Sequence, residues 1–224
     1  MIPTTLHLAE KQVERLLRLW NISGEEHGER AVFFDIDGTI NRHDCLELLM
    51  QEVARRGLLS ENKIKMYQHA NQCWKHRDWS FEKYLQCLIK LIEDLKSLSG
   101  ARLDKIAREA IQNHGSYYYL FPWLLLLRLK LLGYKLIALS GAPLFMAELY
   151  LEKIGLFPWK IHASNYIFKN NIFTGDIDLT VLKDKGAFIK KEYGRKIDLK
   201  QSIALGDTLL DVSMFQKVGN KVVI

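Results

Sequence analysis

The chain has 224 residues, of which 48% are hydrophobic and 26% are charged. These proportions are typical of a globular protein and exclude a disordered or collagen-like chain. The net charge of +6, from 32 Lys and Arg against 26 Asp and Glu, favours anionic partners at long range. The basic residues are spread along the chain without a basic block, so no nucleic-acid partner is expected.

The cysteines and the apolar stretches bear on the environment of the protein. Cys45, Cys73 and Cys87 cannot all pair and show no C-x-x-C spacing, so we predict a reducing, cytoplasmic environment without a disulfide framework. The longest apolar stretch, 117–132, contains two basic residues and is shorter than the ~20 residues that cross a bilayer. We therefore predict a buried helix there.

The N-terminal segment, 1–29, carries an amphipathic pattern. Its apolar residues recur at helical spacing among charged ones, which predicts a helix that packs on the core of its own domain. Peripheral contact with a membrane surface is compatible with this pattern but is not favoured. The residues that form the apolar side are Leu6, Val13, Leu16, Leu17 and Trp20.

Three short apolar runs further along the chain each end in small or acidic polar residues. Continuous apolar runs of this length are typical of strands that are buried on both faces of a parallel sheet. Helical periods at 123–132, 145–154 and 186–193 follow or precede them. The runs and their polar ends are 30–34 before Asp35-Ile36-Asp37-Gly38-Thr39, 135–139 before Ser140-Gly141, and 202–205 before Gly206-Asp207.

Alternating buried strands and helices predict an α/β fold with a doubly wound parallel sheet. Ligands of such sheets bind beyond the carboxyl ends of the strands, where the polar residues lie. Carboxylates of Asp35, Asp37 and Asp207 gathered there would repel one another unless a cation binds or a proton is shared. Oxygen ligands without a neighbouring histidine favour Mg²⁺ as that cation.

Further groups at the same edge indicate that the ligand is a phosphate. Ser140 offers a hydroxyl, and the glycines beside it and in the first motif expose backbone N–H groups to an anion. One of three lysines, at positions 183, 185 and 190, could add a positive charge. Carboxylates, magnesium, a hydroxyl and a lysine together indicate phosphoryl transfer.

These residues resemble the haloacid dehalogenase (HAD) superfamily, in particular the subfamily of phosphoserine phosphatases. The resemblance covers about 30–224, and its four motifs occur in the family's order. A strand-and-turn element at 171–175 is also similar to one found in the subfamily. The motifs are D-x-D-G-T at 35–39, Ser140-Gly141, Lys185-Gly186, and G-D-x-x-x-D at 206–211.

The resemblance implies a role for each motif residue. Asp35 would be the nucleophile that forms an aspartyl-phosphate, and Asp37 the general acid and then base. Ser140 and Lys185 would hold the phosphate oxygens, with Gly141, Gly38 and Thr39 as further phosphate-binding positions. Mg²⁺ would bind to Asp35, Asp37 (through its backbone carbonyl) and Asp207, supported from behind by Asp211.

The subfamily also inserts a helical cap after the first motif, and the helical periods of 46–115 fit such a cap. The remaining core would comprise 30–45 and 116–224. Asp44 stands where phosphoserine phosphatases carry an acidic residue, and His43 beside it is a second candidate substrate contact. The stretch 81–92 lacks the cap arginine that binds the carboxylate of phosphoserine, so phosphoserine itself is not the expected substrate.

The sequence therefore predicts a Mg²⁺-dependent phosphatase acting on a small phosphorylated metabolite or a lipid phosphate. Two alternatives remain open: a catalytically silent module that binds a phosphorylated ligand, and a phosphotransferase with an acceptor other than water. The spacing of His69, Cys73 and His76 is compatible with a metal site, although no fourth ligand is evident. Aromatic residues at 117–123 favour packing over a nucleobase platform.

Overall fold

The computed structural model describes residues 2–22, 29–114 and 117–224. Its strands form one sheet in the order β4-β3-β2-β1-β5-β6, with each adjacent pair parallel except the antiparallel pair of β3 and β4. The predicted doubly wound α/β fold is confirmed. The strands are β1 (Ala31–Phe34), β2 (Lys135–Pro143), β3 (Lys160–Lys169), β4 (Ile172–Asp178), β5 (Ile203–Gly206) and β6 (Asn220–Val223).

Helices surround this sheet on both faces. A 3₁₀ turn at Leu209–Asp211 follows β5. The helices are α1 (Ile2–Leu19), α2 (Cys45–Arg55), α3 (Glu61–Lys75), α4 (Phe81–Glu93), α5 (Gly100–His114), α6 (Leu120–Leu131), α7 (Leu144–Lys153), α8 (Thr180–Lys183), α9 (Lys185–Tyr193) and α10 (Val212–Phe215).

The central strand β1 is fully buried because helices cover both of its faces. Side chains alternate across a strand, so Val32 and Phe34 join the larger apolar core and Phe33 joins the smaller one. Val32 is in register with Leu136 of β2 and Ile203 of β5. The three apolar runs therefore end side by side, and the polar residues that follow them share one edge of the sheet.

Helix α1 packs against α6, and its Val13 and Leu17 are buried in the larger core. Of the predicted N-terminal segment, residues 23–28 lie outside the described residues. Helix α6 is buried through Leu125 and Leu129, and it begins three residues earlier than the predicted period. Pro122 lies in its first turn, where a missing N–H leaves no hydrogen bond unmade. In the described part of the chain, no helix combines the length and hydropathy that a membrane crossing requires.

Helices α2 to α5 occupy the chain between β1 and α6. Helices α2 and α5 pack against each other and against α7, while α3 packs on α4 and α2. Asp44 caps the N-terminus of α2, since its Oδ1 accepts a hydrogen bond of 2.9 Å from the backbone N–H of Glu47. The predicted boundary between 115 and 116 lies outside the described residues.

Candidate active site

A cavity of about 690 Å³ opens at the carboxyl ends of β1, β2 and β5. Helices α2, α3 and α4 form its opposite wall. Its sheet side carries most of the residues that the sequence predicts for the site. Those lining residues are Asp35, Asp37, Gly38, His43, Asp44, Ser140, Gly141, Lys185 and Asp207.

The loop after β1 has a shape that only glycine permits at position 38. Gly38 has a φ of +82°, in the left-handed region that side chains disfavour, and its N–H donates to the carbonyl of Asn41 at 2.9 Å. A Cβ at this position would lie 2.1 Å from Oδ2 of Asp207. Gly38 therefore lets the loops after β1 and β5 approach each other closely enough for their carboxylates to meet.

Carboxylate oxygens of Asp35, Asp207 and Asp211 lie within 4.8 Å of one another. Oδ1 of Asp35 is buried, and its nearest charged partner is the ammonium of Lys185 at 3.0 Å. Carboxylate oxygens that crowd together in this way suit a hard cation such as Mg²⁺. The side chain of Asp37 is not part of this cluster, because its Oδ1 accepts a hydrogen bond of 3.1 Å from Nδ2 of Asn41.

Asp211 lies behind the other two acids and is fully buried. Its Oδ2 accepts hydrogen bonds from the backbone N–H groups of Asp207 and Thr208 at 3.1 and 3.0 Å, and from the hydroxyl of Thr208 at 3.1 Å. Its Oδ1 accepts from Nζ of Lys185 at 2.6 Å. With four donors on its two oxygens, Asp211 fixes the loop that carries Asp207.

Lys185 is the lysine that reaches the cavity, whereas Lys183 and Lys190 are exposed. Its ammonium is buried and lies 3.0 Å from Oδ1 of Asp35 and 2.6 Å from Oδ1 of Asp211. Burial acts to lower the pKa of Lys185, but the two carboxylates outweigh it and hold the pKa above its ordinary value. Lys185 therefore stays charged beside Asp35.

Burial dominates the electrostatics of the two acids in the first motif. Burial raises the pKa of Asp35 to about 7, against the opposing effect of Lys185 and with the repulsion of Asp211 and Asp207. Burial, together with the negative charge of Asp44, also raises the pKa of Asp37 well above its ordinary value. The first motif thus contains Asp35, which is paired with the ammonium of Lys185, and Asp37, which favours its protonated form.

The remaining predicted phosphate-binding residues have distinct surroundings. Ser140 is buried, and its Oγ accepts a hydrogen bond of 3.1 Å from the N–H of Ala142. Ser164 of β3 donates to the carbonyl of Gly141 at 2.8 Å, within the irregular stretch of β2 between Leu139 and Pro143. The hydroxyl of Thr39 donates to Oδ1 of Asp207 at 3.0 Å and does not line the cavity.

The two candidate substrate contacts also differ. Asp44 lines the cavity, and its Oδ2 accepts a hydrogen bond of 2.8 Å from the hydroxyl of Tyr67 on α3. His43 lies at the exposed rim, edge-on to the ring of Tyr117 at a centroid distance of 5.4 Å. Asp44 is therefore held in a defined position inside the site, and His43 is not.

Sequence reasoning missed the side chains that α2, α3 and α4 contribute to the cavity. On α3, Tyr67, Asn71 and Trp74 recur at intervals of four and three residues, which places them on one helix face. Glu47 on α2 and Tyr84 on α4 complete this wall. A mixed polar and aromatic stripe within a predicted cap was the signal that could have indicated them.

The structure also describes the His69, Cys73 and His76 pattern and the aromatic segment at 117–123. Sγ of Cys73 lies 3.5 Å from Nε2 of His69, and His76 does not join them in a metal-binding group within the described chain. In the aromatic segment, the rings of Tyr118 and Trp123 pack at 5.4 Å, and the indole N–H of Trp123 donates to the carbonyl of Ile154 at 3.1 Å. This segment joins α6 to the core.

Fold and site together define an α/β enzyme with its acidic centre at the carboxyl edge of a parallel sheet. A family model described as haloacid dehalogenase-like hydrolase matches residues 32–216. The chain belongs to this family, and the predicted HAD-type enzyme is confirmed.

Similar proteins include phosphoserine phosphatases, the subfamily that the motifs indicated. A phosphoserine phosphatase from Methanocaldococcus jannaschii is 26% identical over 200 residues, which cover 88% of this chain and 86% of that protein. The structure of a phospho-aspartyl intermediate analogue of phosphoserine phosphatase has a TM-score of 0.61 at 24% identity, covering 88% of this chain and 87% of that one. A phosphoserine phosphohydrolase-like protein from Francisella tularensis has a TM-score of 0.67 at 19% identity, covering 87% and 86%. These two structures share the fold.

Proposed function

We propose that this protein is a Mg²⁺-dependent phosphomonoester hydrolase that works through an aspartyl-phosphate. The observation that carries the proposal is the position of Asp35, whose buried carboxylate meets Lys185 at 3.0 Å in the cavity. The family and the phosphoserine phosphatase relative support the same chemistry. The substrate would be a small phosphorylated molecule, and the cysteine content favours the cytoplasm.

In the first step, a carboxylate oxygen of Asp35 attacks phosphorus, and the bond from phosphorus to the alcohol oxygen breaks. Lys185 neutralises negative charge on the phosphate oxygens, and Ser140 of β2 holds the phosphate. Because the substrate is a dianion, this attack requires positive charge near Asp35. The buried ammonium supplies part of that charge.

Asp37 would supply the proton that the departing alkoxide needs. Burial raises the pKa of Asp37, which favours the protonated form that a general acid needs, and the hydrogen bond from Asn41 fixes the carboxyl group. Once ionised, Asp37 takes a proton from the water that attacks the aspartyl-phosphate. This attack releases inorganic phosphate and regenerates the carboxylate of Asp35.

The carboxylates of Asp35 and Asp207, which lie in one acidic cluster, would hold a divalent cation, and the backbone carbonyl of Asp37 would be a further ligand. When bound, Mg²⁺ supplies charge neutralisation for the phosphate and for the crowded carboxylates. Asp211 orients Asp207 and Lys185 without facing the cavity itself. We assign helices α2 to α5 as the cap that excludes water from the reacting groups.

The first test uses an aryl phosphate with Mg²⁺ and measures phosphate release by the purified chain. Asp35→Asn should reduce the turnover rate by at least about 10³-fold, because an amide cannot act as the nucleophile. Asp176→Asn changes an exposed aspartate on β4 and serves as the matched control with unchanged turnover. Unchanged activity of the Asp35 variant would contradict the proposal.

The same assay separates the two alternatives. A silent binding module would gain thermal stability from phosphate esters without releasing phosphate. A phosphotransferase would form a new phosphate ester when an acceptor alcohol is added, and product analysis would detect that ester.

A further inference from the structure

The wall of the cavity that faces the sheet would contact the alcohol part of a phosphate ester, because the phosphate is held at the sheet edge. Glu47, Tyr67, Asn71, Trp74 and Tyr84 belong to this wall, which we call the cap wall. With about 690 Å³ in total, the cavity has room for a small alcohol beside the phosphate. The chemistry of the cap wall therefore decides which alcohol fits.

Charge is unevenly distributed around the cavity. Among its described lining residues, five side chains are carboxylates, and Arg42 and Lys185 carry the permanent positive charges. Lys185 is engaged by Asp35 and Asp211. Arg42 is exposed on the loop after β1, where its guanidinium lies 5.1 Å from the ring centroid of Tyr119.

The cap wall itself contributes a carboxylate and, among the described residues, no lysine or arginine. Lys83 and Lys90 of α4 lie outside the cavity lining, and the ammonium of Lys83 is 4.1 Å from the ring centroid of Trp79. A carboxylate on the alcohol would meet like charge on this wall without a counter-ion. Such an arrangement disfavours binding.

The groups of the cap wall suit an ammonium instead. Oε1 of Glu47 accepts hydrogen bonds from the side-chain amides of Gln51 and Gln68 at 3.1 and 2.7 Å, which hold this carboxylate in place. The rings of Trp74 and Tyr84, which line the same cavity, stack on each other with a centroid distance of 5.9 Å. Carboxylates and aromatic faces are the groups that recognise ammonium ions in proteins.

Asn71 gives an independent indication that this wall binds a polar ligand. Its side chain is nine-tenths buried, lines the cavity, and makes no hydrogen bond with the described residues. Its amide nitrogen and oxygen are open to the cavity and not sealed inside the protein. A polar group of a bound substrate would provide a hydrogen-bond partner.

We propose that the cap wall binds an alcohol that carries an ammonium group and no carboxylate, so that the substrate is the monophosphate of a small amino alcohol. This inference rests on the proposed function of the site. It also separates the substrate from phosphoserine, which carries an ammonium and a carboxylate on the same alcohol.

The experiment compares kcat/KM for three esters in the presence of Mg²⁺: phosphoethanolamine, phosphoserine and glycerol 3-phosphate. Phosphoethanolamine differs from phosphoserine only by the carboxylate, and glycerol 3-phosphate lacks the ammonium. We expect phosphoethanolamine to exceed each of the others by about tenfold or more. Equal or faster turnover of phosphoserine would overturn the proposal in favour of carboxylate binding by Arg42, and equal turnover of glycerol 3-phosphate would show that the ammonium is not recognised.

Two variants test the wall directly. Glu47→Gln should lower kcat/KM for phosphoethanolamine about tenfold more than for glycerol 3-phosphate, whereas Glu93→Gln, at an exposed position of α4, should change neither. Gln51→Arg should raise the ratio of phosphoserine to phosphoethanolamine turnover. Equal losses for both esters in the Glu47 variant would contradict the assignment.

Failure of this inference differs from failure of the proposed function. If the chain hydrolyses an aryl phosphate but shows no preference for phosphoethanolamine, only the substrate class is wrong. If the chain hydrolyses no phosphate ester although Mg²⁺ is present and the protein is folded, the proposed function itself is wrong.

Discussion

At the scale of single residues, the site contains a buried carboxylate that lowers the stability of the fold. Asp35 is buried, repelled by two neighbouring acids and only partly compensated by one ammonium. An ionised carboxylate in these surroundings opposes folding, since the unfolded chain leaves it solvated. Asp35, the residue that the proposed chemistry needs most, thus lowers the stability of the folded protein.

This cost predicts that Asp35→Asn is more stable than the parent protein when no metal is added. Since the pKa of Asp35 is raised to about 7, its contribution to stability is fully present below the ordinary value of 3.8 and is lost as the pH rises through 7. The gain of the variant should grow from pH 4 to pH 7 by roughly 4 kcal/mol and then level off, since each pKa unit corresponds to about 1.4 kcal/mol. Urea unfolding with EDTA across this range measures it.

The control for this prediction is again Asp176→Asn, which should follow the parent protein at every pH. A variant at position 35 that is less stable than the parent at pH 8 would contradict it. That result would mean that the ion pair with Lys185 outweighs the burial of the carboxylate.

At the scale of elements, an ion-pair network ties α2 to α5 beside the site. Glu52 of α2 is 4% exposed and accepts from Arg55 at 2.6 Å and from Arg56 at 3.0 Å. Arg56 also pairs with Glu109 of α5. Because α2 begins at Asp44 and carries Glu47, this network helps to position one side of the cavity.

The network predicts a pH-dependent loss of stability in Glu52→Gln. The hydrogen bond from Arg55, followed by the contacts of Arg56, overcomes burial and lowers the pKa of Glu52 to about 2. Its stabilisation is therefore present above its ordinary pKa of 4.5 and is lost as the pH falls towards 2. We expect the variant to lose about 2 kcal/mol at pH 7 and less than half of that at pH 3.

Thermal and urea unfolding at the two pH values measure this difference. Glu148→Gln, at an exposed position of α7, should have no effect at either pH. An equal loss for Glu52→Gln at pH 7 and pH 3 would show that its ion pairs do not stabilise the fold.

At the scale of the whole molecule, α1 packs on α6, far along the chain from the motifs of the site. Leu17 of α1 is 7% exposed and belongs to the larger core, whereas Leu8 on the same helix is 58% exposed. Neither residue lines the cavity between the sheet edge and the cap wall. The packing of α1 on α6 therefore contributes to stability without contributing to the cavity.

Two substitutions of the same chemistry test this division. Leu17→Ala should lower the free energy of unfolding by about 2 kcal/mol, because it removes buried methyl groups and leaves a cavity. Leu8→Ala should change it by less than about 0.5 kcal/mol. Chemical denaturation measures both, and equal effects would contradict the packing of α1. Turnover of an aryl phosphate at 20 °C should be unchanged in both.

The sequence by itself determined the three central strands, several helices around them and the motif residues at the strand ends, whereas β3 and β6 were not predicted. Apolar runs such as 30–34 are typical of buried strands. Because parallel strands bring their carboxyl ends to one edge, the sequence predicted that Asp35, Ser140 and Asp207 meet there. The residues alone left Lys183, Lys185 and Lys190 open, and only the family resemblance pointed to Lys185, which lines the cavity in the structure. Only the tertiary structure decided that the side chain of Asp37 turns to Asn41.

The cap wall is a second feature that the sequence alone did not predict. Tyr67, Asn71 and Trp74 have the spacing of any helix face, and periodicity does not state what that face contacts. Their role depends on how α3 packs against α2 and α4, and on the distance between these three helices and the sheet. Local patterns determine the elements because they act within a few residues, whereas a cavity wall arises from contacts between residues that are far apart in the chain.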